Sequence, residues 1–217
     1  MPESLRRLAP LTGIPFAILL AITFTSPSTP GTHDTGAQVI SHYQAHHGAH
    51  LLGDITGAVA VVFFLFFISS LRSYFKDKQA ADGLSMAAFA GGILIAVGGA
   101  IFTSLDVALI DARHDISPQA AQALNVLSND LFFPFEIGLI VFSISIGLAI
   151  IASGALPTWL GWVQVVIGVV AFTPVGFFGF FVTLLWSVIV AILIYRRTGP
   201  ASAGAAGASP SLSAEAA

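Results

Sequence analysis

The hardest constraint on this chain is a set of long apolar runs that no water-soluble fold could cover. Ile55 to Leu71, Leu84 to Leu105 and the whole of Pro157 to Tyr195 pass without a charged residue. About 20 mostly apolar residues cross the ~30 Å hydrocarbon core of a bilayer as a helix. Within that core only helices and closed barrels satisfy their own backbone hydrogen bonds. Charged residues make up 9% of the 217 residues and hydrophobic ones 56%, with mean hydropathy +0.89. A soluble domain carries about 25% charged residues. The chain therefore reads as a single all-α polytopic membrane domain.

Taken in order, the pattern predicts six transmembrane helices. Leu8 to Thr25 forms the first, read as a retained span because no small-x-small cleavage site follows it. Ser26 to Gly36 is rich in Pro, Gly, Ser and Thr and reads as loop. Asp34 or Thr35 can cap a helix that runs unbroken into the second span, about 51–71. The third covers 84–105, where Ala88, Gly92, Ala96, Ala100 and Ser104 form a small-residue ridge suited to close helix packing, widened by Gly91, Gly98 and Gly99. Ser117-Pro118 starts an amphipathic helix expected at the outer interface, and Pro134 is the expected kink before a fourth span at 132–151. The run from Pro157 to Tyr195 would be nearly 60 Å as one helix, about twice the core thickness. Thr173-Pro174-Val175-Gly176 divides it into spans at 158–172 and 177–194. Residues 198–217 are mostly Ala, Gly, Ser and Pro with a single Glu and read as a disordered tail.

Six spans bring both termini to one side. Arg6, Arg7, Arg72, Lys76, Lys78, Arg196 and Arg197 then lie together, and of the eight basic residues only Arg113 lies opposite. Basic residues collect on the cytoplasmic side, so the predicted protein is a multi-pass cell-membrane protein with both termini cytoplasmic. A five-span arrangement would put Arg196 and Arg197 outside. All six histidines, and Asp54, Asp106 and Glu136 among the carboxylates, fall on the non-cytoplasmic side.

The candidate chemistry sits in His42 to Asp54, His-Tyr-Gln-Ala-His-His-Gly-Ala-His-Leu-Leu-Gly-Asp. On a helix His42, His46, His50 and Asp54 climb one face in i, i+4 steps. Tyr43, His47, Gly53 and Gly57 share an arc of roughly 140° with them. Histidines at i, i+4 can ligate one divalent cation. His42, His46, His50, Asp54 and Glu136 are accordingly the candidate metal ligands, with His46 and His50 favoured as nearest the membrane. Nitrogen and carboxylate donors suit Zn, Fe, Ni or Cu(II). The competing reading is a polar lead-in of unliganded histidines. Asp54 and Glu136 lie within about two turns of the outer boundary, where a charge is less costly than at the span centre. Asp106 reads as a solvated helix-end residue, and Asp111 with His114 as a loop pair.

The absence of Cys excludes disulfides, thiolate metal sites and cysteine nucleophiles. No basic patch suits nucleic acid, and no Walker A, GxSxG or nucleotide signature occurs. His42-x-x-x-His46-His47 resembles a fragment of the His boxes of membrane di-iron desaturases. Those enzymes use several boxes on the cytoplasmic side, and this chain has one cluster outside. Leu156-Pro-Thr-Trp-Leu-Gly-Trp162 and Phe172-Thr-Pro-Val-Gly-Phe-Phe178 resemble a group of uncharacterised bacterial polytopic membrane proteins, common in actinobacteria and filed as domains of unknown function. That resemblance covers the last two spans and implies no activity.

The leading expectation is a non-enzymatic integral membrane protein binding a divalent cation or proton at its outer mouth, as sensor, accessory subunit or small transporter. The alternatives are a membrane-bound metalloenzyme or redox protein using the His face, and a structural partner of another membrane protein. The expected partners are the lipid bilayer and either a second copy or another membrane protein, with no nucleic acid.

Overall fold

A computed structural model describes residues 7–173 and 176–198, less the side chain of Phe177. All regular structure among these residues is helical. A 3-10 turn, Ala9–Thr12, leads into α1 (Gly13–Thr23); α2 is Gly36–Phe75, α3 Asp82–Ala112, α4 Pro118–Asp130, α5 Phe133–Ser153, α6 Thr158–Val170 and α7 Gly176–Arg197. Four stretches are long and apolar enough to cross a membrane: Gly36–Phe75, Gln79–Ala112, Pro118–Ser153 and Phe178–Arg197. The first and fifth predicted spans are shorter apolar helices, Ala9–Thr23 and Thr158–Val170. Thr198 ends the described part of the expected tail; residues 199–217, Arg6, and the turn residues Pro174 and Val175 lie outside the described residues.

The helix starts follow from local chemistry. Thr35 caps α2 with a capping box, its side chain accepting from the Gln38 N–H while Gln38 accepts from the Thr35 N–H at 2.8 Å. Ser117 caps α4 by accepting from the Ala120 N–H, with Pro118 in the first turn. The predicted kink at Pro134 is instead a break at Leu131 and Phe132, and Pro134 sits in the first turn of α5, where its missing N–H costs nothing. Gly154 ends α5 with φ +59°, a left-handed cap that favours glycine.

The 40 residues of α2 span about 60 Å, twice a hydrocarbon core, and the helix accordingly packs in two environments. Its second half joins the main core, where Phe64, Phe67, Ile68 and Leu71 are buried with Phe142, Ile146 and Trp186. Its first half forms a separate cap, in which Val39 and Tyr43 pack on Leu109 and Ile110 of α3 and Ala121 of α4. The opposite face of α2 exposes Leu52, Ile55, Val59, Val62 and Phe66. A helix apolar on both faces needs a partner inside and hydrocarbon outside.

Past the third apolar run, α3 continues to Ala112. Leu109 and Ile110 extend its buried stripe into the cap, which carries the helix past the apolar run. Of the small-residue ridge, Ala88, Gly92 and Ala96 are buried, together with Gly91 and Gly98. Ala100 and Ser104 are exposed, and the close approach runs along Gly91 and Gly98 against α5. A Cβ on Gly91 would lie 2.5 Å from the Phe142 backbone nitrogen, one on Gly138 2.6 Å from that of Ile95, and one on Gly98 2.7 Å from that of Phe135. Gly92 faces α2 and meets only the Ile68 side chain.

The basic residues gather at one end. The Arg7 guanidinium stacks over the Tyr195 ring at 5.4 Å. Tyr74 donates to the Ala155 carbonyl at 3.1 Å, and Arg197 donates to the same carbonyl. Arg72 pairs with Asp82 at 2.7 Å in the same region. The histidine cluster lies at the other end.

Candidate functional site: a buried carboxylate network beside a polar cavity

The capping box starts α2 far enough back that His42, Tyr43 and His50 are already helical before the apolar run begins. The extension of α3 then brings Asp106 beside them. Asp106 is only 8% exposed, which corrects its reading as a solvated end residue. One carboxylate oxygen accepts from the Tyr43 hydroxyl, and the other lies 3.0 Å from His50 Nδ1. His50 is itself 3% exposed. Its second nitrogen, Nε2, lies 2.9 Å from His42 Nε2.

Donor arithmetic orders this chain of bonds. An ionised carboxylate only accepts, so Tyr43 donates its hydroxyl proton and His50 carries a proton on Nδ1. A neutral His50 then accepts at Nε2 from His42. One more proton can be held on His42 Nδ1, with its Nε2–H still donating to His50. The pair can thus take up or release a proton without breaking the anchor at Asp106. Burial, reinforced by the positive charge that His50 and His46 would carry, holds His42 below its ordinary value of 6.5. Burial and the adjacent Asp106 charge push Tyr43 above the usual phenol range, so it remains a donor.

The predicted ligands separate. His42 and His50 are joined in the network. His46 is exposed and turns its Nδ1 toward the His42 carbonyl at 3.1 Å, the helical back-bond of a solvated side chain. Asp54 lies next to Asp106, and its Oδ2 is buried without a hydrogen-bond partner. Glu136 lines the cavity from α5, and its carboxylate makes no hydrogen bond or ion pair with the described residues. Among the described residues no group of three or more His, Asp or Glu is arranged to hold a metal ion. A tetrahedral ion shared by His42 and His50 would need their nitrogens about 3.3 Å apart. The 2.9 Å separation is that of a hydrogen bond.

Asp106 and Tyr43 are the residues that sequence reasoning undervalued. The signal was present: Gly92, Gly99 and Asp106 recur every seven residues, so Asp106 continues a face of α3 that turns toward α2.

A cavity of about 800 Å³ opens beside the network, lined by His50, Asp54, Asp106 and Glu136 with Thr103 and Asn129 among its polar groups. Its rim is tied together by small side chains. Thr23 of α1 bonds the Gly53 carbonyl at 3.2 Å and the Thr56 hydroxyl at 3.0 Å, and Ser26 donates to the Ala49 carbonyl at 3.2 Å. Asn125 and Asn129 of α4 donate to the Gly31 and Pro30 carbonyls at 2.9 and 3.2 Å, which holds the loop after α1 over the cap.

Fold and site define the class: an all-helical, multi-pass membrane protein with a buried His–carboxylate network beside a cavity at one end. Beyond that class, the chain has no match among protein-family models, curated proteins or solved structures.

Proposed function

We propose that this protein is a six-span, non-enzymatic membrane protein that binds a proton at the non-cytoplasmic mouth of its bundle, and that it works as a sensor, accessory subunit or small transporter. Both short apolar helices count as spans in this reading, and the basic end faces the cytoplasm. The gathering of Arg7, Arg72, Lys76, Lys78, Arg196 and Arg197 at one end supports that orientation.

The observation that carries the proposal is the buried Asp106 carboxylate, held by Tyr43 and His50, with His42 bonded to the far nitrogen of His50. An intramembrane or near-membrane carboxylate–histidine chain is a usual means of holding a proton. Asp54 and Glu136 face the same cavity, so a change of charge in the network is felt by anything bound there.

The test is the titration of His42 by NMR of histidine-labelled protein in detergent micelles. Replacing His50 by Gln removes a like charge and should raise the His42 midpoint. Asp106→Asn removes an opposite charge and should lower it. Shifts of opposite sign are expected; a midpoint unmoved by both substitutions would overturn the proton reading. A divalent metal is separated in the same preparation. A melting temperature raised by Zn, Ni, Cu(II) or Fe in the parent chain, and lost in both His42→Gln and His50→Gln, would replace the proton by a metal.

A further inference from the structure

The walls of the cavity divide by chemistry. Three carboxylates line it, Asp54, Asp106 and Glu136, and none of the described lining residues is Lys or Arg. Asp106 is already engaged by Tyr43 and His50, and Asp54 lies beside that pair, which leaves the Glu136 carboxylate without a cation among the described residues. The apolar wall is aromatic and continuous. Phe102 meets Phe132 at 5.8 Å between ring centroids, Phe132 meets Phe135 at 5.2 Å, and Phe135 meets Phe180 at 5.3 Å. All four rings line the cavity.

Ser128 of α4 also lines this cavity. The volume, about 800 Å³, falls in the range of about 300–1,000 Å³ typical of small-molecule sites.

Beyond the proton reading, we propose that the cavity beside the network takes an organic monocation with an apolar body, its charge held by Asp54 and Glu136 and its body laid on the Phe102–Phe132–Phe135–Phe180 wall. An anion is repelled by three carboxylates. A neutral apolar molecule would strip water from Asp54 and Glu136 without replacing it. A bare metal ion needs several ligands converging on one point, and the described residues offer no such group. A bulky organic cation meets both walls at once, through its charge on one and through cation–π and dispersion contacts on the other.

The experiment uses two ions of the same shape and opposite charge. The full chain, purified in a nonionic detergent at pH 7.5, is equilibrated with tetraphenylphosphonium or with tetraphenylborate, and binding is measured by equilibrium dialysis against protein-free micelles. Saturable binding of one phosphonium per chain is expected, with the borate at least tenfold weaker. Glu136→Gln should weaken phosphonium binding at least fivefold, and Asp54→Asn likewise. Equal affinity for the two ions overturns the proposal, as does phosphonium binding that neither substitution changes. The two-ion comparison is made on the parent chain, so a variant that fails to fold leaves it decisive. The His42 titration needs no ligand, so failure here leaves the proton reading standing, and failure there leaves this one.

Discussion

His50 Nδ1 lies 3.0 Å from Asp106 Oδ2, across 56 residues of chain and between two different helices. With Tyr43 on the other oxygen, the contact joins the cap formed by α2, α3 and α4 to the bundle below it. A buried carboxylate with two donors aimed at it is costly to disturb from one side only, because each donor left behind is a buried polar group without a partner.

Asp106→Ala should therefore destabilise more than Tyr43→Phe. It strands both the Tyr43 hydroxyl and the His50 N–H, at about 1–3 kcal/mol each. Tyr43→Phe removes one donor and leaves His50 in place. Thermal melts of detergent-solubilised protein check the order; a Tyr43→Phe loss as large as that of Asp106→Ala would show that Asp106 is not the shared acceptor.

His42 should contribute stability that is lost with acid in a window just below pH 6.5. The folded protein holds His42 below its unfolded value, through burial first and then His50 and His46, against the raising effect of Asp106 and Asp34. Between the folded and unfolded values the unfolded chain binds more protons, so stability rises with pH there and is lost as pH falls through the folded value. His42→Gln should flatten that part of the pH–melting curve. A His42→Gln curve with the same pH dependence as the parent from pH 7.5 to 5 would contradict the sign.

Gly91→Ala should cost about 1–3 kcal/mol, as overpacking of a tight core does, and more than Gly92→Ala. A methyl group on Gly91 meets the Phe142 and Gly138 backbone, whereas one on Gly92 meets the end of the Ile68 side chain, which can turn away. Equal melting temperatures for the two variants would remove the α3–α5 backbone contact from the account of stability.

Topology is open to direct measurement. Reporter fusions after Lys78 and at the C-terminus should both report cytoplasm, and one placed near His42 should report the opposite side. A C-terminal reporter found outside would overturn the six-span count.

Much of the helical framework was legible in the sequence, because each signal was local. Apolar runs, the Thr35 and Ser117 caps, Gly154 after the fourth apolar run and the i, i+4 histidines each act over one or two turns of helix. So the chain by itself determined that it would be helical and apolar on its outer faces, and that His42 and His50 would share a side of one helix. What only the tertiary structure decided is which of those side chains meet. The burial of Asp106, the exposure of His46 and the choice of Gly91 over Gly92 for the backbone contact all depend on how α2, α3 and α5 are rotated and slid against one another. Those offsets are set by summed packing over whole interfaces, and a turn of about 100° per residue is enough to move a side chain from cavity to solvent.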